Sequence, residues 1–415
     1  MLARLSGLTA VSLISTGCIF LYQSLATHIL TVNDFGELSK WLTDLALFGS
    51  FFMLGLDLAL MYHLRLNQSF EGNASKNIVV YSIVLVLCIV ILFMLDRASN
   101  INFALVFVMY TLALLNMCST YFQYKENFKK FGLINLLRSF FILIPILFCF
   151  IFEIDMGLNL VVISYLGSVL FCLMICSILY FKVATLNRPV ELLNLTYYQY
   201  GLKSVLNRSL GLLLYSSTTY CVYYLIGSEA AGLFFVASMI SKLNWVIPDA
   251  AGNILYPKFI KANSKDEKDR AGKEMYFYSR IVLLLNLVTV IIFYIVGEYL
   301  IANIYSPEYE DVFFPTLILL IGNQGMVFFK ILSRYFAAKN HWLPMRVGLT
   351  LAILVNIFLN YFLIPVYGLL GSAISTCVSF FVCGFTLIYY YKKDMLLFFV
   401  SDQWLANYKG KLRGK

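Results

Sequence analysis

Apolar side chains run along this chain in long blocks, and polar ones collect in the short gaps between them. A helix needs about 20 apolar residues to cross a bilayer's hydrocarbon. Sliding that length along the sequence predicts twelve membrane helices. They fall near 8–30, 38–63, 77–95, 101–122, 134–152 and 158–181 in the first half. In the second half they fall near 203–226, 231–256, 276–300, 312–337, 343–365 and 368–391. No connection exceeds about 25 residues, which leaves no room for a separate catalytic domain.

The last two helices are divided only by Pro365-Val366-Tyr367-Gly368, inside an otherwise unbroken apolar run. Such a run is either one kinked helix or two helices reversing in four residues. Charge decides. Basic residues accumulate in cytoplasmic connections, and here they follow the even-numbered helices: Arg65 and Lys76; Lys125, Lys129 and Lys130; Lys182, Arg188 and Lys203; Lys258 to Arg280; Arg334, Lys339 and Arg346. The odd connections contain Arg97 alone and carry Asp34, Glu37, Glu153, Asp155, Glu229, Glu308, Glu310 and Asp311. That alternation survives only if residues 365–368 form a tight turn. It places both termini in the cytoplasm.

Composition agrees. The chain of 415 residues is 61% hydrophobic and 13% charged, about half the charge of soluble domains. Its net charge of +9 comes from basic loops beside anionic lipid, and no nucleic-acid groove accompanies it. The nine cysteines lie in apolar stretches without a metal-binding pattern and read as small buried side chains. Neither a nucleophile motif nor a zinc or nucleotide motif appears, so no enzyme and no cofactor is expected.

The halves resemble each other. YFQYKENF (121–128) precedes helix 5 and YFAAKNHW (335–342) precedes helix 11, matching Lys125 to Lys339. Gly157 opens helix 6 as Gly368 opens helix 12, and VNDFGEL (32–38) resembles GSEAAGL (227–233). Two copies of six helices insert in the same sense, related by a pseudo-two-fold axis along the membrane normal, and such pairs enclose a central cavity. The predicted organisation is an N-terminal six-helix bundle (1–185), a cytoplasmic linker (186–202), a C-terminal six-helix bundle (203–391) and a basic tail (392–415).

Ionisable residues inside a bilayer are costly and mark functional interiors. Lys242 stands eleven residues from one end of helix 8 and fourteen from the other, roughly 16 Å or more from either surface, too deep for its stem to reach water. Lys330 and Arg334 share a face of helix 10; Arg208 and Arg138 lie one turn or more inside helices 7 and 5. Asp57 and Asp249 lie near the cytoplasmic ends of helices 2 and 8, where they can balance charge or bind a coupling cation. The sum is a net positive interior suited to an anionic head group. Asn244 and Asn356, with Asn323, Gln324 and Asn360, add amides suited to sugar hydroxyls or to tying helices together.

NIFLNYFLIPVYGLLGSAISTCVSF (Asn356–Phe380) is similar to the helix 11–12 hairpin of polysaccharide-export flippases, and GSEAAGLFFVASMISKLNWVIPDAAGNILYP (Gly227–Pro257) resembles their helix 7–8 signature. VNDFGEL and SPEYEDVFFPTLILLIGNQ (Ser306–Gln324) fit as well. The chain thus resembles O-antigen flippases (Wzx-type) of the multidrug/oligosaccharidyl-lipid/polysaccharide (MOP) exporter superfamily. It departs at Ser372 and Ser375, where alanines are usual, and in Ser216–Tyr220, which lacks a frequent acid.

The resemblance implies a MATE-like fold in the bacterial inner membrane. It implies alternating-access transfer of undecaprenyl-diphosphate-linked oligosaccharide to the periplasmic leaflet, driven by a proton or sodium gradient. A polysaccharide polymerase and a chain-length regulator are the implied protein partners, beside membrane lipids. Lys242, Lys330, Arg208 and Arg138 would hold the diphosphate, with Asn244 and Asn356 on the sugar. The alternatives are a cation-coupled multidrug exporter of the same fold, and a membrane polymerase or glycosyltransferase.

Overall fold

The computed structural model describes residues 2–57, 59–60, 70–95, 99–124, 127–154, 156–181, 195–261, 265–339 and 341–391. Residues 186–194 of the expected linker, the basic tail 392–415, Arg97 and Lys125 lie outside them.

Among the described residues the chain is helical throughout. The helices are α1 (Leu2–Ile29), α2 (Val32–Phe52), α3 (Phe70–Met94), α4 (Asn100–Tyr124), α5 (Phe128–Ile151), α6 (Leu158–Phe181) and α7 (Leu195–Ile226). They continue with α8 (Ser228–Lys242), α9 (Val246–Lys261), α10 (Lys265–Ile304), α11 (Phe313–Ala338) and α12 (Leu343–Tyr391). Among the described residues eight helices are long and apolar enough to cross a membrane. Their exteriors confirm that solvent: α3 exposes Ile83, Val86, Leu87, Val90 and Ile91, and α10 exposes Leu284, Leu287, Val288, Ile291 and Ile292. Continuous apolar faces of this size are not stable against water. The protein is a multi-pass membrane protein.

Within α12 the backbone leaves helical geometry at Gly368 (φ 53°, ψ −127°), a conformation that favours glycine. The chain reverses there. A Cβ on Gly371 would overlap the Leu363 carbonyl, and one on Gly348 would lie 3.4 Å from the Cys383 carbonyl. Residues before and after Gly368 therefore run antiparallel, as the charge alternation requires. Ser375, Thr376 and Ser379 donate to carbonyls one turn earlier at 2.6–2.9 Å, and Ser372 donates to Leu369. These bonds explain how serines at two usual alanine positions are accommodated: their hydroxyls are satisfied within their own helix.

The described residues form two compact units. The first comprises Met1–Tyr223 with Gly227–Gly232 and Asn303–Glu308; the second comprises Tyr224–Ile226, Leu233–Ala302 and Tyr309–Lys415. In the first, α1 packs on α5, and α4 packs on α2, α3 and α6, around Leu115, Tyr121, Phe122, Ile134 and Cys172. In the second, Leu255, Val282, Phe328, Ile331, Phe336 and Leu387 join α9, α10, α11 and α12. There α11 and α12 touch backbone to backbone, since a Cβ on Gly325 would come within 2.6 Å of the Phe380 carbonyl.

Most of α7 falls in the first unit, although the sequence assigns it to the second half. A polar ladder on α2 explains this. Tyr223 donates to Glu37 Oε1 at 2.6 Å and Tyr220 to Asp44 Oδ1 at 2.7 Å. Ser50 meets Ser209 at 3.0 Å, and Arg208 pairs with Asp57. In a bilayer such groups must find protein partners, and α2 with Asp57 just beyond its end supplies them in antiparallel order. The repeated motifs also meet: Gly36 lies directly under the Ser228 carbonyl, and Ser228 donates to Asn33 Oδ1.

Candidate functional site

The site in the second unit begins with a defect in a helix. Pro248 has no amide hydrogen, so the carbonyl four residues earlier, that of Asn244, loses its ladder partner. The chain tightens into a 3₁₀ turn at Leu243–Trp245, closed by Val246 N–H donating to the Leu243 carbonyl. This turn lies between α8 and α9, in the middle of one long span. Lys242, Trp245 and Asp249 follow at spacings of three and four and so share a face.

Trp245 is the platform. Its Nε1 donates to Asn323 Oδ1 at 2.7 Å, and Asn323 Nδ2 donates to the Ser241 carbonyl at 2.8 Å. Asn323 of α11 thereby ties the indole to the turn. Two ammonium groups then face one ring: Lys330 Nζ lies 4.6 Å from the indole centroid and Lys242 Nζ 6.0 Å. Desolvated contacts of this kind contribute about 2 kcal/mol or more. Lys330 also donates to Asp249 Oδ2 at 2.7 Å. Among the described residues no carboxylate pairs with Lys242. Gly252 lets α9 approach α11 closely: its Cβ would sit 3.3 Å from the Lys330 carbonyl and 3.1 Å from Arg334 Cγ. Three bases, Lys242, Lys330 and Arg334, thus share the neighbourhood of one acid.

The other expected site residues divide among separate places. Arg208 Nη1 donates to Asp57 Oδ2 at 2.9 Å in the first unit. Asp57 follows a break with left-handed backbone at Leu54 and Gly55, where Gly55 lies against the Gly201 carbonyl of α7. Arg138, on α5, sets its charge beside Tyr165 and Cys172 of α6. Asn244 is buried with neither amide atom hydrogen-bonded among the described residues. Asn356 accepts from Asn360 at 2.9 Å within α12. Lys242, Lys330 and Asp249 therefore form one cluster, while Arg208 and Asp57 form a pair of their own.

Trp245 was not anticipated. Its spacing from Lys242 is the signal that could have found it, three residues along the same helical face. Asn323 was read as suited to sugar hydroxyls or to tying helices together; here it ties α11 to the turn through the indole and the Ser241 carbonyl.

A concavity elsewhere in the second unit is acidic. Glu298, Glu310 and Asp311, with Phe313, Phe314 and Tyr367, line a pocket of about 690 Å³ where α10, α11 and the turn of α12 come together.

Comparison with solved structures settles the architecture. A lipid II flippase MurJ in an inward closed conformation superposes with a TM-score of 0.71 at 12% identity, covering 93% of this chain and 87% of that one. An inward-facing multidrug resistance MATE family transporter of the MOP superfamily gives 0.68 at 12% identity over 97% and 99% of the two chains. This chain has the MOP fold. The Vibrio cholerae MATE transporter VcmN shares that MOP fold, at a TM-score of 0.65 and 16% identity over 96% and 98%. By sequence, the chain is 27% identical over 179 residues to the capsular polysaccharide biosynthesis protein CapF of Staphylococcus aureus, a match spanning 41% of this chain and 43% of that relative's length. No family model matches.

Proposed function

We propose that this protein is a flippase for a lipid-linked oligosaccharide, moving an undecaprenyl-diphosphate-linked O-antigen or related surface-polysaccharide unit from the cytoplasmic to the periplasmic leaflet. The observation that carries the reading is the pair of ammonium groups, Lys242 and Lys330, held over one indole, with a single acid, Asp249, paired to Lys330. Two deep cations on a rigid platform suit a diphosphate, whose negative charges are close together. The prenyl chain stays in lipid. Names of similar proteins support the substrate class, one a lipid II flippase and one a capsular polysaccharide protein.

In this reading the chain crosses the bacterial inner membrane twelve times as two six-helix bundles, with both termini cytoplasmic, and works by alternating access without enzymatic chemistry. Proton or sodium gradients supply the drive. A polymerase and a chain-length regulator receive the product.

A deletion strain complemented with Lys242→Ala tests the proposal. The variant is expected to insert normally, to leave the surface without polymer and to let the lipid-linked unit accumulate. Normal polymer with that variant alone would overturn it. A cation exporter is the second reading, favoured by the acidic, aromatic pocket around Glu298 and Glu310. It predicts drug resistance that disappears with Glu310→Gln and is indifferent to Lys242.

A further inference from the structure

The two partners of the Lys330–Asp249 pair are not equally held. The Lys330 side chain is 12% exposed and that of Asp249 is 42% exposed. Lys330 has a second partner, the Trp245 face at 4.6 Å, and that ring is itself anchored through Asn323. Among the described residues Asp249 is tied to this cluster through the ammonium alone. If the pair opens, the lysine stays in place against the indole and the more exposed carboxylate is the partner that leaves.

From this asymmetry, and resting on the flippase reading, we infer that Asp249 is a resident competitor for the diphosphate. In the empty carrier its carboxylate occupies the position on Lys330 that a substrate phosphate takes. Arrival of the substrate displaces it, and its return helps to expel the substrate. The distances bound the separation of the two ammonium groups. Lys242 and Lys330 face one indole centroid at 6.0 and 4.6 Å, so their nitrogens lie no further apart than the sum of those lengths. One phosphate can meet Lys242 while the other replaces Asp249 on Lys330. The charge logic agrees: a buried ammonium without a counter-ion is costly, and Asp249 neutralises Lys330 whenever the site is empty. Arg334 of α11 lies against the same stretch of α9 and keeps the cluster positive after displacement.

Asp249 is therefore a positioning residue with a specific kinetic signature. Its removal should tighten binding and slow release, whereas loss of an ordinary structural pair would weaken both. The test uses the full-length protein in nanodiscs, with undecaprenyl diphosphate as probe for binding and for leaflet transfer. Asp249→Asn is expected to lower the dissociation constant by about tenfold and to reduce the maximal transfer rate severalfold; Asp249→Glu should restore both. Asp249→Ser serves if the asparagine variant does not fold. Unchanged or weaker binding by the folded Asn or Ser variant, with Lys242→Gln still abolishing binding, would overturn this inference alone. Wild-type binding by Lys242→Gln and Lys330→Gln would overturn it together with the flippase reading.

Discussion

Each unit contains a deep ion pair of similar length, and the two are built the opposite way round. In the first unit the acid is the sealed partner: Asp57 is 13% exposed and Arg208 is 40% exposed. In the second unit the base is sealed against an indole and the acid faces outward. Opening the first pair strands a carboxylate whose Oδ1 has no hydrogen bond among the described residues. Opening the second leaves an ammonium in place. An anion-binding site needs the second arrangement, while the first suits a tie that fastens α7 along α2. Equal distance does not mean equal role; the partner that is free to leave decides.

The sharpest way to break this comparison is to remove Lys242, the cation that pairs with no acid among the described residues. Lys242→Ala should reduce transfer of the lipid-linked unit to background with little loss of stability, read by leaflet transfer beside thermal unfolding in detergent. Next comes Gly55→Ala. It forces a side chain into left-handed backbone against the Gly201 carbonyl, and should destabilise the protein by about 3 kcal/mol, seen as a lower unfolding midpoint.

Arg208→Ala and Lys330→Ala then test the asymmetry itself. Arg208→Ala strands Asp57 in a buried place and should cost about 2 kcal/mol, below the range for fully sealed pairs because Arg208 is partly open. Lys330→Ala leaves Asp249 in reach of water and should cost less than about 1 kcal/mol while abolishing transfer. If the two stabilities came out in reverse order, the assignment of tie and site would be wrong. The smallest effect on transfer is expected for Tyr223→Phe, which loses one hydrogen bond to Glu37. About 1–2 kcal/mol is expected, measured by the same unfolding midpoint with transfer retained.

Much of the site was legible in one dimension. Depth is a count along a helix, so Lys242 could be placed far from both surfaces without knowing any neighbour. The reversal at Gly368 was legible because a proline, a glycine and the sign of flanking charge are all local. Pairing was not. Arg208 and Asp57 lie 151 residues apart, and Lys330 and Asp249 lie 81 apart; nothing local says which acid meets which base. The allegiance of α7 was hidden for the same reason, since it depends on hydroxyls meeting carboxylates across two helices.

For this protein the order of residues alone determined the solvent, the succession of helices and which charges had to be buried, because each follows from length, hydropathy and the cost of ions in hydrocarbon. Tertiary structure decided which buried charges are neutralised, which partner of each pair can leave and that an indole carries two of them. Those outcomes depend on distances of a few ångströms between helices remote in sequence, and Coulombic and cation–π energies change steeply over that range.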